Sequence, residues 1–349
     1  MLLPSNFTGA MLCLVLSMVC FGSWANLQKR TGKWRYELFY WDFSIGILLA
    51  AVLAAFTLGS LDSSQLSYSD NLLISSYHKI AYGLEGGLVL GFSNLLLVGA
   101  LSVAPMAVVF PVAMGVALVV QVASLVFAPQ GNVLILIVGT VLVLAAIVVN
   151  AFAYSTYALE QRAVKKPLTP DPRLVAVKPP LPAKGVTLSV ISGIAMGLAP
   201  MLTDLGRTGE DGLGAYAAAL LVAVAVLAST FLFAPFFVTF AVHGTPVQFR
   251  SYFKGGKGVH LTGLFAGMLW SVGLIAAYTT GGAVATIHVS SVITGGFTEG
   301  AAVLATLWGL FGWREFQGAN PRVRILLTAM LFLWIVGAGM ITIAPLYSK

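Results

Sequence analysis

The sequence predicts an all-α integral membrane protein whose ten transmembrane helices form two inverted five-helix repeats. Hydrophobic residues fill 58% of its 349 positions and charged residues only 9%, whereas roughly 25% of an ordinary soluble domain is charged. Apolar stretches of about 20 residues, long enough to cross a bilayer as a helix, recur along the whole chain. Cationic residues cluster in alternate loops, and one proline-rich segment divides the stretches into two sets of five.

Ten spans follow when the apolar stretches are taken in chain order. Proline and glycine end one helix and start the next, so the joints at 103–105 and 280–282 predict two helical hairpins. The predicted spans are 6–27, 38–59, 80–102, 104–128 and 131–154 in the first repeat, and 185–203, 214–241, 259–279, 283–311 and 323–346 in the second. The predicted domains are 1–154, a linker at 155–184, and 185–349.

The linker contains Lys-Pro-Leu-Thr-Pro-Asp-Pro-Arg and Lys-Pro-Pro-Leu-Pro, and proline at this density favours an extended, solvated chain. Because five spans precede the linker, the second repeat enters the membrane upside down relative to the first, which is the arrangement of an inverted repeat. A constant shift of 176 residues pairs Gly87 and Gly91 with Gly263 and Gly267.

The loops after the odd-numbered spans hold almost all of the 19 Lys and Arg residues, whereas the other side keeps Lys79, Arg207 and Lys349. The positive-inside rule places the basic loops in the cytoplasm. We therefore expect a multi-pass protein of the cell membrane, with both termini extracytoplasmic and the central loop cytoplasmic. The net charge of +7 reflects this topology and does not indicate binding to nucleic acid.

Residue patterns typical of enzymes are absent from the sequence. It has no Walker-type nucleotide loop, zinc-ligand spacing, serine elbow or His-Glu-x-x-His motif. Its two cysteines, Cys13 and Cys20, share one face of the first span and are interpreted as packing residues. We therefore expect a transporter without a metal or a cofactor, and a channel and an intramembrane enzyme remain the alternatives.

Polar and aromatic residues at membrane depth are the candidates for solute binding, because such groups are costly in hydrocarbon and usually face a cavity or one another. Asn94 carries an amide in the middle of span three, and Trp270 occupies the matching position of span eight under the shift of 176 residues. Trp24, in span one, is a further ring for stacking. The alternatives are an interhelical hydrogen bond for Asn94 and plain packing for the tryptophans. The remaining candidates for cavity lining are Gln121, Thr294 and Thr298.

Carboxylates inside the spans are the candidates for carrying a proton during transport. Glu299 and Glu85 are interpreted as buried carboxylates, and Glu299 is the first choice for proton coupling. His288 lies eleven residues before Glu299, or about three helical turns, so both project from one face. A structural hydrogen bond or ion pair is the alternative for these side chains.

Three stretches of the chain resemble a known family. They are Gly86-Gly-Leu-Val-Leu-Gly-Phe-Ser-Asn94; Phe249-Arg-Ser-Tyr252 followed by Gly263-Leu-Phe-Ala-Gly-Met-Leu-Trp270; and Leu307-Trp-Gly-Leu-Phe-Gly-Trp-Arg-Glu-Phe316. With these stretches the chain resembles the drug/metabolite transporter superfamily and, within it, the ureide permeases of plants. The last stretch also resembles sugar porters of the glucose/ribose and rhamnose type.

The resemblance implies ten helices, extracellular termini and proton-coupled uptake of ureides such as allantoin. It also implies a site lined by spans one, three, four, six, eight and nine. Asn94 matches the family's Gly-Asn in span three, whereas Trp270-Ser271 or Val272-Gly273 stands where the family has Gly-Asn in span eight. Glu315 matches the glutamate that ends the superfamily half-repeat, and we expect it to fix a loop.

The predicted function is secondary active transport, as proton symport by alternating access. The cargo is a small, polar, uncharged solute such as a ureide or nucleobase-like compound, because the mid-depth groups are amide, hydroxyl and indole. A monosaccharide is the alternative that the same groups would suit. The expected partners are the solute, protons, the lipid bilayer and a second copy of the chain in a homodimer. Nucleotide binding is not expected, because the linker lacks the nucleotide-loop-like motif of the plant proteins.

Overall fold

The computed structural model describes residues 2–32, 34–61, 66–127, 132–164, 182–239, 241–242, 244–282 and 300–347. Throughout these ranges the chain forms helices joined by turns and irregular segments, without any strand. The prediction of an all-α protein is therefore confirmed for the described part of the chain.

The helices are named here in chain order. They are α1 Phe7–Ser23, α2 Ala25–Arg30, α3 Tyr36–Phe56, α4 Tyr68–Ile74, α5 Tyr77–Leu101, α6 Met106–Phe127, α7 Val133–Val164, α8 Pro182–Arg207, α9 Ala215–Thr239, α10 Lys257–Gly282, α11 Gly300–Gly312 and α12 Pro321–Ile343. Two short 3₁₀ segments, Phe249–Lys254 and Ala344–Tyr347, precede α10 and follow α12.

Nine helical stretches in the described residues are long and apolar enough to cross a membrane, with α1 and α2 together forming the first. This finding confirms a multi-pass helical membrane protein. The shorter apolar helix α11 covers the end of the ninth predicted span, and residues 283–299 of that span lie outside the described residues. Ten crossings in two inverted halves therefore stay a prediction. Helix α7 continues to Val164, past the predicted start of the linker at 155, and residues 165–181 are not described.

Local side-chain caps set where two of these helices begin. Asn6 accepts a hydrogen bond from the Gly9 backbone N–H at 2.7 Å, ahead of α1. Asn320 accepts one from the Val323 N–H at 2.8 Å, and Pro321 takes the first position of α12, where no intrahelical N–H donor is needed. Each cap satisfies a backbone donor that the first helical turn leaves without a partner.

Contacts between loops gather the basic loops at one end of the bundle, which we call the basic end. Arg35 Nη1 donates to the Thr245 carbonyl at 3.0 Å, and Tyr157 Oη donates to the Gln317 carbonyl at 3.0 Å. Lys184 also donates to the Val242 carbonyl. The segments that sequence analysis assigned to one side of the membrane therefore touch one another.

Close helix crossings correspond between the two halves. Helix α5 packs on α8 and α9, and α10 packs on α1 and α3. A Cβ atom at Gly87 of α5 would lie 2.6 Å from the Ala225 Cβ of α9, and one at Gly263 of α10 would lie 2.5 Å from the Asp42 Cβ of α3. Glycines that are 176 positions apart thus permit the same close backbone approach in both halves.

Candidate functional site

Asn94 of α5 carries a buried amide that the described chain leaves unpaired. Its side chain is 0% exposed, and neither Oδ1 nor Nδ2 has a hydrogen-bond partner there. The preceding residue makes the contact between helices instead, because Ser93 Oγ donates to the Ser192 carbonyl of α8 at 2.8 Å. A buried polar group without a partner costs about 1–3 kcal/mol, and no described residue offsets that cost for Asn94.

An aromatic cluster joins the two tryptophans that the sequence singled out. We define the cluster as Phe21, Trp24, Phe43, Phe110 and Trp270. The Trp24 ring centroid lies 4.9 Å from that of Phe43 and 6.1 Å from that of Phe110. The Trp270 ring lies 6.3 Å from Phe43 and 5.5 Å from Phe21, in both cases edge-on. Helices α1, α3, α6 and α10 therefore meet through these rings.

A tyrosine ties the helix of Asn94 to this cluster. Tyr40 of α3 donates its hydroxyl to the Gly91 carbonyl of α5 at 2.6 Å, and Gly91 lies one turn before Asn94. The Tyr40 ring also lies 5.6 Å from the Phe43 ring of the cluster. The structure thus connects the turn of α5 that precedes Asn94 with the rings of Trp24 and Trp270.

Two buried serines, which sequence analysis missed, have hydroxyls with no partner among the described residues. They are Ser17 of α1 and Ser271 of α10, and both are 0% exposed. Ser17 lies one turn before Phe21, and Ser271 follows Trp270. Trp270-Ser271 had already been noted as the position of the family's second Gly-Asn, whereas nothing in the sequence distinguishes Ser17 from other serines.

The remaining predicted residues, apart from Glu85, belong to α6 and to the ninth span. Gln121 lies half-buried on α6. Thr294, Thr298, His288 and Glu299 lie outside the described residues, so the predictions for them stay open.

The interpretation of Glu85 as a buried carboxylate is wrong. Glu85 is exposed on α5, whereas its neighbours Gly83, Gly86 and Gly87 are buried. These glycines turn their face of α5 toward α8 and α9, and the 100° rotation per residue points Glu85 away from it. An average hydropathy over the span could not show which face is buried.

A second polar cluster, which sequence analysis also missed, lies near the basic end. Asp42 of α3 has a side chain that is 4% exposed. Its Oδ1 accepts a hydrogen bond from the Tyr252 hydroxyl at 2.5 Å, and its Oδ2 lies 2.8 Å from His260 Nδ1. The Tyr252 ring also packs edge-on against the His260 ring at 4.7 Å. Burial and the hydrogen bond to Asp42 raise the pKa of Tyr252, so its phenol stays protonated and donates.

Glu315 holds the start of α6 at the basic end. Its two carboxylate oxygens accept hydrogen bonds from the backbone N–H groups of Met106 at 2.8 Å and Ala107 at 2.9 Å. Its Oε1 also pairs with Lys29, which follows the first span. The prediction that Glu315 fixes a loop is confirmed, and the carboxylate complements the positive end of the α6 dipole.

Comparison with known proteins identifies similar permeases. Ureide permease 1 of Arabidopsis thaliana is 31% identical over 90 residues, which is 25% of this chain and 23% of that protein. Ureide permease 2 is 31% identical over 101 residues, or 27% and 25% of the two chains. Ureide permease 5 is 33% identical over 95 residues, or 25% and 23%. Each match therefore spans about a quarter of the length of the relative.

The chain also shares its overall fold with a solved structure. No family model matches the chain. A solved structure titled only "Crystal structure of protein" aligns with a TM-score of 0.50 and 17% identity, covering 95% of this chain and 96% of that one. The matches to the permeases support the ureide permease family that the motifs indicated. The matched proteins are permeases, that is, transporters and not enzymes.

Proposed function

We propose that the chain is a secondary transporter that carries a ureide, or a related small and uncharged nitrogen-rich compound, across the cell membrane. The observation that carries this proposal is the buried amide of Asn94, whose donor and acceptor both lack a partner in the described chain. A polar group that is retained at a cost inside a membrane protein is a candidate for binding a solute. The similarity to ureide permeases supports the class of solute.

The chemistry of the candidate groups suits a planar urea-containing solute. The Asn94 amide can donate two hydrogen bonds and accept two, which complements the N–H and C=O groups of a ureide. The hydroxyls of Ser17 and Ser271, which have no partner among the described residues, add further donors and acceptors. Trp24 and Trp270 offer ring faces on which a flat heterocycle can stack. Because none of these five side chains is charged, the proposed solute is neutral.

Alternating access between two inverted five-helix halves is the mechanism that we propose. The corresponding packing of α5 on α9 and of α10 on α3 supports a repeat relation between the halves. Gly87 and Gly263 let the backbones approach closely at those crossings, so the helices can slide against each other without large side chains intervening. The positive-inside rule would place the basic end in the cytoplasm.

Proton coupling completes the proposal. Glu299 and His288 are proposed to carry the proton, because their spacing puts both on one face of the ninth span. Glu299→Gln is expected to flatten the pH dependence of uptake more than it changes the KM for the solute. Equal pH profiles for the variant and the parent would remove Glu299 from this role.

The test of function is uptake of radiolabelled allantoin into vesicles that contain the purified protein. We expect uptake that saturates and that falls when the proton gradient is collapsed. Competition by unlabelled ureides but not by glucose would support the solute class, and preference for glucose would overturn it. Uptake that never saturates would show a channel.

Asn94→Ala is the decisive variant, and Asn150→Ala is its matched control. Asn150 is also a fully buried amide, but its Nδ2 donates to the Ala107 carbonyl at 3.3 Å. We expect Asn94→Ala to raise KM about tenfold or more without lowering thermal stability, because it removes an unpaired group. Asn150→Ala should lower stability and leave KM unchanged. Unchanged KM in Asn94→Ala would exclude Asn94 from the site.

A further inference from the structure

A cluster of three titratable side chains, Asp42, Tyr252 and His260, joins α3 to α10 and to the 3₁₀ segment before it. A carboxylate on α3, an imidazole on α10 and a phenol on the preceding 3₁₀ segment meet within hydrogen-bond distance. We propose that these three side chains form a proton-binding site at the basic end, and that its occupancy sets the rate of transport from that side. Its role in transport rests on the proposed function, whereas proton binding does not.

The hydrogen bonds assign a role to each histidine nitrogen. Asp42 Oδ2 faces His260 Nδ1, so Nδ1 carries a hydrogen and donates to the carboxylate. The proton from solvent is then taken up at Nε2, which gives an imidazolium beside Asp42. A Cβ atom at Gly255 would lie 2.5 Å from Nε2 and 2.7 Å from Trp34 Cη2, so the glycine leaves room for the imidazole beside the indole.

The exposed fraction of the side chain differs between His260 and Asp42, as proton uptake from solvent requires. The His260 side chain is 23% exposed, whereas Asp42 is 4% exposed. Solvent therefore reaches the imidazole, and the carboxylate behind it is shielded. The imidazole therefore lies between solvent and the carboxylate, which is the order that proton exchange with solvent requires.

Other charged groups at this end are engaged elsewhere or lie in solvent. Arg35 and Glu37, at the start of α3, form a two-pronged ion pair with each other, with a shortest distance of 2.7 Å. Lys254 and Lys257, on the 3₁₀ segment and at the start of α10, are exposed. Among the described groups, Tyr252 and Asp42 are the titratable side chains that contact the His260 ring.

The corresponding crossing in the other half carries no titratable group at these positions. Gly87 of α5 contacts Ala225 of α9 where Gly263 of α10 contacts Asp42 of α3. The residue that corresponds to His260 under the shift of 176 is Leu84. The close crossing itself therefore does not need an acid and an imidazole. An acid and an imidazole that close packing does not require indicate a function at the basic end.

Trp34 provides a readout of proton binding that needs no transport. Its ring lies 5.6 Å from the His260 ring in an edge-on arrangement, and an imidazolium quenches a neighbouring indole more than a neutral imidazole does. The signal of Trp34 is obtained as the difference between the parent and Trp34→Phe. We expect that difference to fall as the pH is lowered, because protonation converts the neighbouring imidazole to an imidazolium.

Variants identify the group that titrates. His260→Gln should abolish the pH-dependent part of the Trp34 signal, and His78→Gln, an exposed histidine at the opposite end, should leave it intact. Asp42→Asn should change the pH dependence of the Trp34 signal, because the imidazolium loses the carboxylate that accepts from Nδ1. A Trp34 signal that changes with pH alike in the parent and in His260→Gln would overturn the proposal.

Transport tests the role of the site. With the pH set separately on the two sides of the vesicle, uptake by the parent should depend on the pH at the basic end, and His260→Gln should weaken that dependence, leaving the part that Glu299 carries. Gly255→Ala should reduce it through crowding at Nε2, whereas Gly256→Ala, with no atom within 4 Å of the added Cβ, should not. An unchanged pH profile in His260→Gln would overturn the role in transport. If no ureide is carried at all, the Trp34 titration still decides whether the site binds a proton.

Discussion

The crossing of α5 on α9 and the crossing of α10 on α3 share their backbone geometry but differ in chemistry. Glycines at corresponding positions let both helix pairs approach closely, as Gly87 does at Ala225 and Gly263 does at Asp42. The first crossing is apolar at the position that Asp42 occupies in the second, which is linked to His260 and Tyr252. Both halves therefore contain a closely packed helix crossing, and one of the two crossings also carries titratable side chains.

Ala225→Asp should have the largest effect, because it places a carboxylate in the apolar crossing with no donor to receive it. We expect a loss of about 3 kcal/mol in the free energy of unfolding, close to the cost of a charge in the middle of a membrane helix. Unfolding in mixed detergent micelles measures the loss. The double variant Leu84→His/Ala225→Asp should recover part of it, since the imidazole can then pair with the acid. No recovery would mean that the two crossings are not equivalent.

Gly87→Leu and Gly263→Leu should each separate a close helix pair. We expect each to destabilise the protein by about 2 kcal/mol and to reduce uptake strongly, because the added side chain has no room. Gly339→Leu on α12 is the matched control, since no atom lies within 4 Å of an added Cβ there. A large loss at Gly263 with none at Gly87 would show that only one crossing is needed for transport.

Tyr252→Phe should have a smaller effect, confined to the α3–α10 crossing. Loss of a hydrogen bond to a charged acceptor is expected to cost about 1.5 kcal/mol at neutral pH. Burial and Asp42 raise the pKa of Tyr252 in the folded protein, so the stabilisation is present below about pH 10 and lost as the pH rises and the unfolded chain ionises. The difference in stability between parent and variant should therefore narrow in alkaline solution. A difference that widens would contradict this assignment.

Glu315→Gln should have the smallest effect of the four. The amide keeps one acceptor for the α6 backbone but loses the charge that pairs with Lys29, so we expect about 1 kcal/mol of destabilisation. Thermal unfolding at low and high salt measures it, and the loss should shrink as salt rises. Glu210→Gln, on an exposed turn at the opposite end, should change nothing measurable.

Sequence reasoning succeeded for properties that one continuous stretch of chain determines. The spans predicted at 38–59 and 80–102 correspond to α3 at Tyr36–Phe56 and α5 at Tyr77–Leu101, because length and hydropathy are local properties. Trp24 and Trp270 were selected separately, and the structure joins both to the Phe43 ring. The prediction that Glu85 is buried was wrong because an average hydropathy does not show which side of a helix is buried.

The order of apolar and basic segments along the chain is enough to predict a helical membrane protein with its basic loops on one side, because a bilayer requires long apolar helices and leaves cations in loops. Which polar groups meet follows from the packing of the helices and from no local pattern. Asp42 and His260 are separated by 218 positions, and no local pattern relates them. Asn94 and Asn150 are both buried amides, and only packing shows that Asn150 Nδ2 donates to a backbone carbonyl whereas neither amide atom of Asn94 has a partner in the described chain.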